Sequence, residues 1–419
     1  MIKRPTRVRL GACSALALGL VLSGCGQSSA PASTTNLGDI KIGGLYPLSG
    51  TNASAGQDTL NGVKLAAEVL NGQHAEVGLP KLTVGKIVLD SADTQGNPET
   101  GASDVDRLVT TDKVVALMGA YQSAVSLTAS QRGERYGVPF VNGSSSSTQL
   151  TKRGLKWFFR TGPSDLTFVQ TYFAWLHSIA RDHPVHKVVV FHTNDTFGND
   201  GAAVIKQLAP GNSTSVTDDI SFPTGPADLT SQVQKLRNDA PDAVFVLMFT
   251  NDAVLFTKTM ATLGYTPPAI LAIGAGYADP KFVTALGAKA DYAITRAAWS
   301  AEIGQTSKTA KAVADAFEKE FGQPMTENSA REFTAMMTLG AAIESARSLD
   351  PEKLRAALAG INIKQTIMPW KGVKFDAEGQ NSLATGVIEQ MISGQYKVLF
   401  PAAYSSTKVV WPAPDLTTR

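Results

Sequence analysis

From residue 40 onward, short uninterrupted apolar runs alternate with amphipathic segments, and they do so in two successive series. In the first series IKIGGLY (40–46), LTVGKIVLD (82–90), VVALMG (114–119) and VPFV (138–141) read as strands. Between them LNGVKLAAEVLN (60–71), ASDVDRLVT (102–110) and SLTASQRGERYG (126–137) carry helical spacing. Strands without polar alternation need cover on both faces, and the intervening helices supply the crossovers, so a parallel sheet is expected. The second series has strands at HKVVVFH (186–192), STSVTDDI (213–220), AVFVLMF (243–249) and AILAIG (269–274), with helices at 167–180, 200–209, 229–239 and 253–264. A tail adds helices at 306–320, 328–348 and 351–359, then FDAEGQN and a hairpin of TGVIEQMI and QYKVLF across Ser393-Gly394. The predicted class is α/β: two doubly wound parallel-sheet lobes joined by a multi-strand hinge. The first lobe is expected to comprise 39–162 plus 299–375 and the second 163–298 plus 376–419, with crossings near 161–164, 297–300 and 375–377.

The first 25 residues follow a different logic. Lys3, Arg4, Arg7 and Arg9 precede an uncharged apolar run over 10–24, which is shorter than the ~20 residues that span a bilayer. The run ends in LSGC (22–25), similar to a bacterial lipobox, which makes 1–24 a lipoprotein signal peptide, Cys25 the lipidation site and 25–38 a small, polar tether. Removal of residues 1–24 takes away four positive charges and no negative ones, so the formal net charge of +2 becomes −2. A basic nucleic-acid-binding chain is thereby excluded. Of the two cysteines, Cys13 leaves with the signal and Cys25 carries the lipid, so no disulfide or cysteine–metal site is expected.

In doubly wound folds ligands bind beyond the carboxyl ends of the strands. GAYQSA (119–124), HTNDTFG (192–198), FTND (249–252) and the serine run in VPFVNGSSSSTQL (138–150) all follow strands. By composition the four serines suit a linker; by position they suit a binding turn, where hydroxyls and consecutive amides can cradle an anion.

Motifs for chemistry are sparse. His177, His183, His186 and His192 lack ligand spacing for zinc and read as surface and turn residues. GAGYAD (274–279) has Asp279 where a dinucleotide fingerprint needs a third glycine, and S-S-T-K (405–408) sits in a tail without helical pattern. WFFR (157–160) reads as packing at a lobe junction. No convergent acid, base and nucleophile stand out, so an enzyme, a cofactor and a bound metal are not expected.

KIGGLYPLSGTNASAGQDTLNGVKLAAEVLN (41–71) resembles the opening of the leucine/isoleucine/valine-type periplasmic binding proteins. GAYQSAVSLTAS, YGVPFVNGSSSSTQLT, FFRTGPSD and FDAEGQN follow in that family's order and spacing. The resemblance implies a monomeric, hinged receptor that closes on a small polar ligand, an amino acid or related carboxylate or amide, and delivers it to an ABC-type permease. A ligand-sensing subunit of a signalling complex, or a lipid-anchored hydrolase, are the alternatives. Carried over by position, the ligand-binding residues are Tyr121, Gln122 and Ser123 after the third strand, Ser144, Ser145 and Ser146 after the fourth, and Phe197 in the second lobe. Asp195 and Asn251, in neighbouring strand-end loops, complete the set. Two departures stand out. The family's ammonium-pairing acid falls on Ala275, and the aromatic that covers the ligand falls near Ala55, which leaves room for a bulkier group. Either Asp195, Asp252 or Asp279 substitutes for the missing acid, or the ligand is not a plain α-amino acid.

Overall fold

The computed structural model describes residues 36–419; the signal segment, Cys25 and most of the tether lie outside them. The first lobe begins with β1 (Asp39–Tyr46), α1 (Ala53–Leu70), β2 (Lys86–Asp93), α2 (Pro98–Thr110), β3 (Ala116–Gly119), α3 (Ser123–Tyr136), β4 (Phe140–Asn142) and β5 (Phe158–Arg160). Local signals set these bounds. Asn97 caps α2 by accepting from the amide of Thr100, with Pro98 at the first helical position, and Gly137 in the left-handed region ends α3. The five strands run parallel in the order β2-β1-β3-β4-β5. WFFR is therefore not mere junction packing: Phe158, Phe159 and Arg160 form the fifth strand, a three-residue element too short to show periodicity.

The second lobe continues with α4 (Asp165–Ile179), β6 (Lys187–Thr193), α5 (Thr196–Leu208), β7 (Ser215–Phe222), α6 (Thr230–Asp239), β8 (Ala243–Leu247), α7 (Thr250–Thr262), β9 (Ile270–Ala272), α8 (Pro280–Leu286) and β10 (Ile294–Ala297). The chain returns to the first lobe as α9 (Ala301–Gly304), α10 (Lys308–Phe321), α11 (Glu327–Ala346) and α12 (Pro351–Ala359), then adds β11 (Val387–Ile392) and β12 (Gln395–Phe400) to the second sheet. That sheet has seven strands in the order β12-β11-β10-β9-β8-β6-β7, with the final hairpin antiparallel on β10. β10 escaped the sequence reading because Thr295 and Arg296 occupy its middle and leave no apolar run.

The helix α11 packs along α1 and reaches β3 and β4, so a segment distant in sequence lies behind the strand ends of the first sheet. Three segments cross between the lobes. Arg160 and Gly379 are still joined by a backbone hydrogen bond, and Asn381 donates back to Arg160, so the third crossing falls after residue 381 rather than at 375–377. His192 departs from its expected surface role. It is buried in β6, with Nε2 2.8 Å from Asp219 Oδ1.

Candidate functional site

The strand ends of the two sheets face each other across a cavity of about 20 Å³, room for roughly one water-sized sphere. Tyr121, Ser123, Ser144, Ser145 and Ser146 line it from the first sheet, joined by Glu327, Asn328 and Arg331 of α11. Phe197, Phe249, Ala275 and Arg296 line it from the second lobe. The lobes touch directly around this space. Thr148 donates its amide and hydroxyl to Asp200 at 2.6 and 2.7 Å, Ser54 donates to Asp279 at 3.1 Å, and the rings of Tyr121 and Phe249 lie 6.0 Å apart.

The serine run is an ordered, buried turn. Asn142, at the end of β4, donates to the carbonyl of Gly119 at 2.7 Å and so joins the two strand ends that present the site. Beyond it, Glu332 accepts from the amide of Gly143 (3.0 Å), the hydroxyl of Ser144 (2.9 Å) and the phenol of Tyr46 (3.0 Å). Arg331 grips the same turn from α11, donating to the carbonyls of Gly143 and Ser144. Ser145 donates to the carbonyl of Ala120 at 2.6 Å and sits 2.7 Å from the hydroxyl of Ser126. Two of the three hydroxyls expected to meet a ligand are thus held by the protein. What the turn leaves uncommitted is the amides of Ser144, Ser145 and Ser146, none of which meets a protein acceptor among the described residues, while the Ser146 hydroxyl lines the cavity beside the buried carboxylate of Asp165.

The other sequence candidates separate. Tyr121 and Phe197 stand in the cavity wall, with Phe249 between them at 5.6 Å from the Phe197 ring. Gln122 is buried but outside the wall, with its amide nitrogen against Gly96, where a Cβ would come within 2.4 Å. Asp195 caps α5, accepting from the amide of Gly198 at 2.8 Å, and Asn251 accepts from Lys281 at 3.2 Å; neither lines the cavity. Asp252 and Asp279 do not line it either. Asp279 accepts from Ser54, Thr250 and the amide of Lys281. Ala55 opens no space here: it is itself buried, in the apolar cluster that contains Tyr121, Phe197 and Phe249.

Sequence reading missed the charged residues. Arg296 of β10 donates to Glu327 at 2.6 Å, and Glu327 also accepts from the amide of Ala298 at 2.7 Å. The Arg296 guanidinium lies 3.7 Å from the centre of the Phe168 ring. Gly274 makes room for it: with φ of +59°, a Cβ there would fall 2.1 Å from Arg296 Cζ. Burial lowers the Arg331 pKa to about 10 and raises that of Glu332, each group losing water from its charged form. Two adjacent charges, Arg331-Glu332, on a helix otherwise read as FTAMMTLGAAI were the available signal.

Comparison with known proteins places this architecture. Residues 39–390 match the profile of the family described as "Periplasmic binding protein". "Leu/Ile/Val-binding protein homolog 8" of Brucella suis biovar 1 (strain 1330) is 27% identical over 95% of this chain and 97% of its own length. The branched-chain amino acid transporter substrate binding protein LivJ from Streptococcus pneumoniae, solved with isoleucine, superposes with a TM-score of 0.75 at 22% identity, over 87% of this chain and all of that one (100%). A solute binding protein of an ABC transporter from R. palustris, solved with benzoate, gives 0.74 at 19% identity, over 90% and 99% of the two chains. These relatives are named as binding proteins, and the cleft offers binding groups: amides, hydroxyls, rings and the buried Arg296 and Arg331. The chain belongs to the periplasmic binding protein family.

Proposed function

We infer that this protein is the lipid-anchored receptor of an ABC importer, which captures a small molecule between its lobes and hands it to a permease. One observation carries the reading: Tyr121, Ser123 and Ser144–Ser146 from one lobe and Phe197, Phe249 and Ala275 from the other converge on a single cavity. Uncommitted amides in consecutive residues suit a carboxylate, and the rings suit an apolar body. The ligands of the structural neighbours, isoleucine and benzoate, share those two parts. The cavity is far smaller than such a ligand, so entry requires the lobes to swing apart about the three crossings. Cys25 supplies the anchor in this reading, since LSGC directs lipidation there and the residues after it form the tether.

The test is to purify the mature protein, identify the co-purifying small molecule by mass spectrometry, and measure small-angle scattering with and without it. A smaller radius of gyration in the bound form supports the reading; an unchanged radius at saturation overturns the hinged receptor. For the anchor, Cys25→Ser should move the protein from the membrane to the aqueous fraction. Equal membrane fractionation of variant and parent would refute lipidation.

A further inference from the structure

The balance of donors and acceptors in the cavity wall says what the ligand carries. Arg296 and Arg331 line the same space from opposite lobes, and both are buried. Arg331 gives Nε and Nη2 to backbone carbonyls and has no carboxylate hydrogen-bonded to it among the described residues. Arg296 gives Nη1 to Glu327, while its Nε is buried without a partner. The Tyr121 hydroxyl is also buried without a partner. Acceptors are scarce by comparison. Glu327, the one carboxylate in the wall, has Oε1 occupied by Arg296 and Oε2 by the amide of Ala298. Asn328 offers only a neutral amide, and Ala275 only a methyl group.

An ammonium entering this wall would meet two guanidinium groups and, in the lining itself, no free carboxylate, since the unpaired oxygens of Asp165 stand outside it beside Ser146, and burying it so is costly. A carboxylate would meet the reverse: two buried cations, an unpaired phenol and the amides of the serine turn. We propose that the ligand is a small monocarboxylate with an apolar body and no ammonium group, and that its carboxylate bridges Arg296 and Arg331, so that one anion ties the two lobes together. Arg296 and Arg331 are then the residues that select the acid over the amino acid. This assignment rests on the cleft being the solute site, as proposed above.

The test is calorimetric titration of ligand-stripped protein with two matched pairs: benzoate against benzamide, and 4-methyl-2-oxopentanoate against leucine. The first pair removes the negative charge at fixed shape; the second adds an ammonium at fixed skeleton. At least one acid should bind, and each acid that binds should exceed its partner by about 10- to 100-fold, the range expected for charge-assisted bonds. Arg296→Gln should collapse the ratio within each pair, an effect that a merely structural role for the arginine would not produce. If that variant does not fold, the ratios of the parent protein decide alone. Leucine binding as tightly as its oxo acid, benzamide as tightly as benzoate, or neither acid binding at millimolar concentration would each overturn the assignment. Lobe closure with leucine alone would leave the receptor reading standing while sinking this one. Absence of closure with any co-purifying molecule would sink the receptor reading itself.

Discussion

Nη1 of Arg296 stands 2.6 Å from Oε1 of Glu327, and this pair ties β10 of the second lobe to the first turn of α11 in the first. Both side chains are almost fully buried, beside the crossing expected near 297–300. A buried pair adds little over an apolar replacement, but removal of one partner strands the other charge. Glu327→Ala should therefore cost about 3–5 kcal/mol, read as a lower urea midpoint. The double variant Arg296→Met, Glu327→Leu should lose much less, because no charge is left behind. An unchanged midpoint for Glu327→Ala would mean that the pair does not hold the hinge.

The serine turn divides into supports and a ligand-facing residue. Ser145 donates to the carbonyl of Ala120 and contacts Ser126, whereas the Ser146 hydroxyl lines the cavity and meets only the buried carboxylate of Asp165. Ser145→Ala should destabilise by roughly 1–3 kcal/mol, because the Tyr121 carbonyl loses its donor while that of Ala120 keeps Ser126 and Asn142. Ser146→Ala should cost less stability than Ser145→Ala and act mainly on ligand affinity. Thermal melts and titration of the two variants side by side would separate these effects. A loss of stability on Ser146→Ala with Ser145→Ala silent would reverse the assignment.

Asp58 gives a pH dependence with a definite sign. It is buried on α1, where it accepts from the hydroxyl of Thr326 and lies against Ser329. Burial raises its pKa to about 7, and the charge of Asp279 adds to the shift. In the unfolded chain the carboxyl titrates near ~3.9. The folded form binds the proton more tightly, so this group's stabilising contribution is complete below about pH 4 and is lost as pH rises through about 7. Asp165, also pushed to about 7 by burial and by Asp200, acts in the same direction. Asp58→Asn should flatten, though not abolish, the fall in stability between these limits, and at pH 8 it should be the more stable protein by a few kcal/mol, at ~1.4 kcal/mol per pKa unit. Urea denaturation across the pH range checks this; a variant slope equal to the parent's would show that Asp58 does not titrate there.

How much of this could be read in advance follows from where each interaction lies in sequence. Four of the five strands of the first lobe's sheet were legible because each is an apolar run, most followed by a covering helix as in VVALMG and SLTASQRGERYG; β5, three residues long, was not. The serine turn was legible because it follows such a strand. Its internal bonding was not, because the partners of Ser144 and Gly143 are Glu332 and Arg331, nearly 190 residues away (|i−j| of 188 for Ser144–Glu332 and Gly143–Arg331). Arg296 was hidden for a related reason. A four-residue strand with an arginine inside carries no periodic signal, and only its docking under Gly274 and over Phe168 makes it part of the site. Asp195 misled in the opposite way: an acid in a strand-end loop looks available to a ligand, yet it is consumed in capping α5.

The contact between Thr148 and Asp200 offers the most direct handle on lobe closure. Thr148 follows the serine turn in the first lobe, and Asp200 lies in α5 of the second, so both bonds exist only when the lobes meet. They are short, charge-assisted and buried, and each is worth about 1.5–3 kcal/mol at most. A repulsion opposes them: the charge of Asp200 contributes to the raised pKa of Asp165, so removing Asp200 also relieves its neighbour. The net loss on Asp200→Ala should therefore be smaller than the two bonds suggest, on the order of 2 kcal/mol in favour of the open form. An equilibrium shifted by that amount lowers the closed fraction, and apparent affinity for the co-purifying ligand falls with it, by roughly 10- to 30-fold. The loss should fall mainly on dissociation, since the latch forms after the ligand has entered. Without ligand, scattering should give a larger radius of gyration for the variant than for the parent protein. Ser54→Ala, which removes one longer bond to Asp279, should shift both readouts the same way by less. If Asp200→Ala binds with parental affinity and scatters as compactly, the bonds to Thr148 do not bias closure.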